Sequence, residues 1–161
     1  MRRGLILLVL AALALCGCPS AYQRTYDQEM AKLQQQGEAE DAQQAALHAE
    51  AGKYAAVIYF PVGSSLIDQD GQRQITWFVD KMKPYPQANF LVQGFADSTG
   101  AEATNQDLSL ARAQAVAAAM VSQGILPARM DVQGFGTASA ADTNATAEGR
   151  RNNRRVEVTV R

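Results

Sequence analysis

Two cysteines, Cys16 and Cys18, and one histidine, His48, are the chain's only thiols and its only imidazole. All three precede the stretch that has the patterning of a folded domain. A zinc-ligand cluster, or a cysteine nucleophile with an imidazole base, is therefore not available to that domain. A lone histidine in a polar helical stretch reads as a surface residue. Asp97 and Glu102 are close enough in sequence to be weighed as an acid and base pair for glycoside cleavage. They sit, however, on what reads as an exposed turn, with no sign of a substrate cleft. What remains is binding through charge and hydrogen bonds. The formal net charge of −1 over 161 residues gives no concentrated basic face, so no nucleic-acid partner is expected.

The beginning of the chain is of different material. Arg2 and Arg3 precede an apolar run over 5–15, then Gly17. Residues 1–17 read as a secretory signal peptide, because the run is far short of the roughly 20 residues that span a bilayer. Leu15-Cys16-Gly17-Cys18 resembles the bacterial lipobox, with Cys18 the better acceptor because a small residue precedes it. Several acyl chains there, at about 0.8 kcal/mol per buried methylene, would anchor the chain durably. Cleavage before Cys18 would leave no other thiol and take 15 basic residues to 13 against 16 acidic ones, a net charge of about −3. Pro19, where some lipoproteins have Asp, resembles sorting to the outer membrane. The expected location is the outer membrane, lipid-anchored and facing the periplasm.

The elements that must position any site come next. Residues 18–53 are rich in Ala, Gln and Glu, with Tyr26, Met30 and Leu33 a thin helical stripe that Gly37 interrupts. They read as a partly helical, mobile tether. Residues 54–161 read as one domain. Val57, Ile58, Tyr59 and Phe60 form a buried strand ended by Pro61 and Gly63. Asp68 caps a helix whose Ile75, Phe78, Val79 and Met82 make one stripe. A second strand covers 90–95, and a helix over about 105–123 places Leu108, Ala111, Ala115, Val116, Ala119 and Met120 on one face. Gly124, Ile125 and Pro127 end that helix. A third strand covers about 130–135. After a polar stretch with a short helical turn, Val156, Val158 and Val160 alternate with Glu157, Thr159 and Arg161, as in a half-buried strand. The order β-α-β-α-β-(short α)-β implies an α/β fold of two layers, with some parallel pairing and both long helices on one face of a mixed sheet. The echo Val92-Gln93-Gly94-Phe95 and Val132-Gln133-Gly134-Phe135 reads as two neighbouring strands ending alike.

GFADSTG, NQDLSLARAQAV, GILPARM, QGFG and TAEGRRNNRRVEV, in that order and at ordinary loop spacing, resemble the OmpA C-terminal, Pal-like peptidoglycan-binding family from about Ala55 onward. The resemblance implies non-catalytic binding of the diaminopimelate in the stem peptide of uncross-linked peptidoglycan, with no cofactor and no metal. The free end of diaminopimelate carries an ammonium and a carboxylate on one carbon, so its receptor needs an anion and a fixed cation. Asp97, leaving the second strand, and Arg112, early in the next helix, stand at the matching positions; a guanidinium meets a carboxylate with two parallel bonds. Asn105, Leu108 and Thr99 also match pocket positions. As ordinary structural residues they would cap the helix, fill the core and form the turn. Arg154 or Arg155, in the matching NRR segment, falls to structural pairing or to general attraction for an anionic wall. Phe95 and Ala96 stand where many relatives have His-Thr, and Gly63 where some have an acid, which changes the pocket's polarity. With a lipid anchor, such a domain would tether the outer membrane to the wall. The alternatives are a scaffold lipoprotein binding envelope protein partners and, less favoured, a peptidoglycan hydrolase.

Overall fold

The computed structural model describes residues 19–161. The signal-peptide reading of 1–17 and the lipidation of Cys18 lie outside the described residues. No described helix is long and apolar enough to cross a membrane. Two units divide between Ala46 and Leu47.

Helix α1 runs Pro19–Ala51 without a break. The expected interruption at Gly37 does not occur, because one glycine inside a helix costs only about 1 kcal/mol against alanine. The flanking Ala, Gln, Glu and Lys residues favour helix, and pairs three or four residues apart, Glu29 with Lys32 and Gln34 with Glu38, add small increments. Within the second unit, Ala51 at the end of α1 is fully buried in the core.

Four strands follow: β1 (Ala55–Tyr59), β2 (Phe90–Gly94), β3 (Met130–Gly134) and β4 (Arg155–Val160). Their order in the sheet is β1-β4-β2-β3. The last strand is thus interior, antiparallel to both β1 and β2, while β2 and β3 are parallel neighbours. Helices α2 (Gln69–Met82) and α3 (Glu102–Ser122) form the second layer, and a short helix α4 (Ala147–Asn153) leads into β4. Ile58, Phe90, Val92, Val156 and Val158 from the sheet meet Ile75, Phe78, Met82, Val116 and Met120 from the helices in a single core.

Local signals act as their chemistry requires. The Asp68 carboxylate accepts from the Gly71 amide at 2.8 Å, filling an otherwise orphan donor at the start of α2. At the end of α3, Gly124 has φ +99°, its amide donates to Val121 and the Ile125 amide to Met120. These paired bonds make a Schellman motif, and buried Ile125 covers it.

The buried face of α3 differs from the expected one. Asn105, Ser109, Arg112, Ala113, Val116, Ala117 and Met120 face inward, whereas Leu108, Ala111, Ala115 and Ala119 are only half-buried. Alanine is spread all round this helix, so apolar periodicity does not set its phase. The phase is set by which polar side chains find partners indoors, and by two glycines. Gly94 and Gly134 pair in register on β2 and β3, and a Cβ on either would run into α3 backbone, at Ser109 and Leu110 respectively. The repeated four residues are thus the bed on which α3 lies against two adjacent strands, with Phe95 and Phe135 stacked at 5.5 Å beyond them.

Candidate functional site: a carboxylate and two guanidiniums at one end of the sheet

Asp97 lies three residues past the end of β2, where the chain is still tied to its neighbours. Phe95 donates its amide to the Arg155 carbonyl and Ala96 to that of Gly136. The turn expected to be exposed is so only from Ser98 onward; Asp97 itself is 4% exposed. Its Oδ1 accepts the Thr99 amide at 2.9 Å, and its Oδ2 accepts from Arg154 Nη1 at 2.7 Å. The ion-pair partner of Asp97 is therefore Arg154, 57 positions away in sequence. The interior position of β4 brings it there.

Arg112 is the largest wholly buried side chain among the described residues. Its Nε donates to the Ser64 carbonyl at 2.8 Å, Nη1 to Phe95 at 3.1 Å and Nη2 to Pro61 at 3.0 Å. The guanidinium also lies over the Phe60 ring at 5.4 Å. Arg154 Nε donates to the Phe60 carbonyl at 3.0 Å. The two arginines together tie the loop after β1 to the end of β2. Of the five N–H groups of Arg112, one on each terminal nitrogen is left over, and the Asp97 carboxylate keeps room for a further donor.

The charges act on one another. Burial lowers the Arg112 pKa to about 10, the Arg154 charge pushes it the same way and Asp97 opposes, so Arg112 stays protonated at neutral pH. For Asp97, burial favours the neutral acid, but bonds from Arg154 and from the Thr99 amide and hydroxyl outweigh it and hold the carboxyl below its ordinary 3.8. A depressed carboxyl stabilises the fold above its unfolded pKa, and this contribution disappears as pH falls through the folded pKa. Asp97→Asn is accordingly expected to lose stability relative to wild type by a constant amount above about pH 5, with the gap narrowing below about pH 4. Urea denaturation from pH 7 to pH 2 measures it; a gap that widens toward acid would contradict the assignment.

The other expected residues divide. Asn105 is buried and donates to the Thr99 carbonyl at 3.1 Å, pinning the turn onto α3. Thr99 is exposed and bonds Asp97 through its amide. Leu108 is half-buried and outside the core cluster. Arg155, neighbour to Arg154 on the chain, lies over Phe95 at 4.1 Å and pairs with Glu157 at 2.6 Å. Phe95 thus serves as a buried platform for one arginine and, through its carbonyl, as an acceptor for another. Sequence reading missed the Asp97–Arg154 pair and the role of Ser109, whose hydroxyl accepts the Gly136 amide at 2.8 Å beneath the same turn. The NRR segment was a visible signal for the first; a serine in an alanine-rich helix gave none for the second.

The chain is 38% identical over 103 residues to the probable lipoprotein YiaD of Escherichia coli, covering 64% of this chain and 47% of that one. It is 39% identical over 98 residues to the peptidoglycan-binding protein ArfA of Mycobacterium tuberculosis, covering 61% of this chain and 30% of that one. The matched part thus spans under half the length of either relative. In fold it is similar to the peptidoglycan-associated lipoprotein from Burkholderia pseudomallei, with a TM-score of 0.63 at 24% identity over 66% of this chain and 90% of that one. The OmpA family model matches residues 59–154, more than half the chain and every residue of the charged cluster, so the chain belongs to the OmpA family.

Proposed function

We propose that the chain binds peptidoglycan non-covalently by the free end of its diaminopimelate, and through lipid on Cys18 tethers the outer membrane to the wall. The observation that carries this reading is an ionised, largely buried carboxylate with two guanidiniums around it at one end of the sheet. The remaining acceptor capacity of Asp97 suits an ammonium, and the unused N–H groups of the partly exposed Arg154 suit a carboxylate on the same carbon, with the buried Arg112 adding its positive charge. Arg112 contributes from a fixed position, because three backbone carbonyls hold it before any ligand arrives. Asn105 and Thr99 hold the turn, and Leu108, three residues further along α3 than Asn105, offers a half-buried apolar surface.

Membership of the OmpA family and the identity to a protein named as peptidoglycan-binding favour the same ligand. The electrostatics argue against hydrolysis at Asp97. A general acid for glycoside cleavage needs a raised pKa, and this carboxyl is held down.

Co-sedimentation with purified sacculi tests the proposal. Wild type is expected in the pellet, and Asp97→Asn and Arg112→Lys to be retained at least about tenfold more weakly, a loss of about 1.4 kcal/mol, with circular dichroism showing both folded. Free diaminopimelate should compete and its amide should compete poorly. If both variants sediment like wild type, the binding site is elsewhere; released muropeptides would point to an enzyme.

A further inference from the structure

Away from the charged cluster, the outer face of α2 carries a shallow hollow of about 450 Å³ lined by Gln69, Gln72, Arg73, Thr76, Trp77 and Asp80. These positions recur at three- and four-residue steps and so form one strip of the helix. Trp77, the largest ring in the chain, is 44% exposed. The Tyr54 ring meets it edge-on at 6.2 Å and fixes its attitude. No protein acceptor for its indole N–H occurs among the described residues. Arg73 pairs with Asp70 and Asp80 with Lys83 on this exposed surface, and each keeps further donors or acceptors. An exposed aromatic ring bordered by such groups, with amides and a hydroxyl, is matched by a ligand with an apolar face and a rim of donors and acceptors. A sugar ring has that form: its C–H groups cover a flat face and its hydroxyl and acetamido groups project at the edge.

We propose that this strip is a second contact with the wall, in which an amino-sugar ring of the glycan strand stacks on Trp77 while Gln72, Arg73 and Asp80 bond its hydroxyl and acetamido groups. The proposal rests on the peptidoglycan reading, since the glycan chain bears the stem peptides whose ends the Asp97 cluster would take. The two places are linked through the loop after β1. Ser64, whose carbonyl Arg112 holds, is separated from Gln69 by five steps of chain, at most about 18 Å when fully extended. Trp77 stands eight residues further along α2, about 12 Å of helix, and a stem peptide of three residues reaches about 11 Å when extended. Engagement of one glycan strand and its stem peptides at both places would raise retention by effective concentration without further contacts.

Trp77 is the chain's single tryptophan, so its emission reports this strip alone. The full chain would be titrated with chitotetraose, a β-1,4-linked N-acetylglucosamine tetramer that carries no peptide. A saturable change in emission is expected in the wild type, and at least about tenfold weaker binding in the double variant Gln72→Ala, Arg73→Ala. Both substituted positions are exposed and outside the core, so the fluorophore and fold remain available for comparison. Absence of a saturable change up to about 10 mM sugar, where affinity would fall below about 3 kcal/mol, overturns the proposal, as does equal affinity in the double variant. Diaminopimelate titrated separately by calorimetry reports the Asp97 cluster, so either contact can fail without the other.

Discussion

Arg112→Ala is expected to lower the free energy of unfolding by about 3–5 kcal/mol. Three carbonyls, of Pro61, Ser64 and Phe95, lose a charged donor at once. Each such bond is worth about 1.5–3 kcal/mol, and a buried carbonyl left without a donor carries a desolvation penalty as well. The gain that offsets part of this is relief from keeping a guanidinium out of water, the same cost that brings its pKa down to about 10. Truncation also empties the space over the Phe60 ring. Arg112→Lys keeps the charge but reaches fewer of the three carbonyls, and is expected to cost about 1–3 kcal/mol. Urea denaturation of the three proteins at pH 7 measures both differences. A loss under about 1 kcal/mol for Arg112→Ala would mean that the side chain sits in a solvated cleft as a simple ligand arm. The same reasoning explains why lysine is the better probe of binding: alanine would abolish retention by loosening the loop, whatever the ligand.

That Arg112 holds the scaffold together could not be read from the chain. The resemblance brought out Asp97 and Arg112 as a pair of opposite charges, and both do lie in one cluster, but the direct partner of Asp97 is Arg154. The difference arises from topology. Sequence order fixes which strands exist, and the alternation of Val156, Val158 and Val160 marks β4 plainly, yet alternation does not say that the last strand enters between β1 and β2. Only that insertion brings residue 154 beside residue 97. Similarly, Asp68 and Gly124 announce themselves because a cap is local chemistry: the partners lie within a few residues. The buried face of α3 is not local. Its polar residues Asn105, Ser109 and Arg112 are indoors because Thr99, Gly136 and the β1 loop supply their partners, and none of those contacts leaves a trace in apolar periodicity. Gly37 shows the converse. It carries the local sign of a break, but the helix-favouring residues on either side outweigh about 1 kcal/mol.

Gly94→Ala is expected to cost about 2–4 kcal/mol and to weaken wall binding although it touches no charged group. A methyl group at residue 94 would overlap the Ser109 carbonyl, which is helix backbone and cannot rotate aside as a side chain can. Relief requires α3 to lift from β2, and Arg112 is one turn further along the same helix face. Its bond to the Phe95 carbonyl at 3.1 Å joins the two elements that would separate. The Ser109 hydroxyl, which accepts from Gly136, would move as well and loosen the turn partner of Ala96. Gly134→Ala should behave alike through Leu110, because the two glycines are register partners under one helix. Gly37→Ala serves as the opposite case: its added methyl meets nothing within 4 Å, and the helix should gain about 1 kcal/mol in local stability. Thermal denaturation and sacculus co-sedimentation of Gly94→Ala and Gly134→Ala read the two consequences together. Retention equal to wild type in a clearly destabilised Gly94→Ala would show that the placement of α3 on β2 does not set the geometry at Asp97, and the link from packing to binding would have to be abandoned.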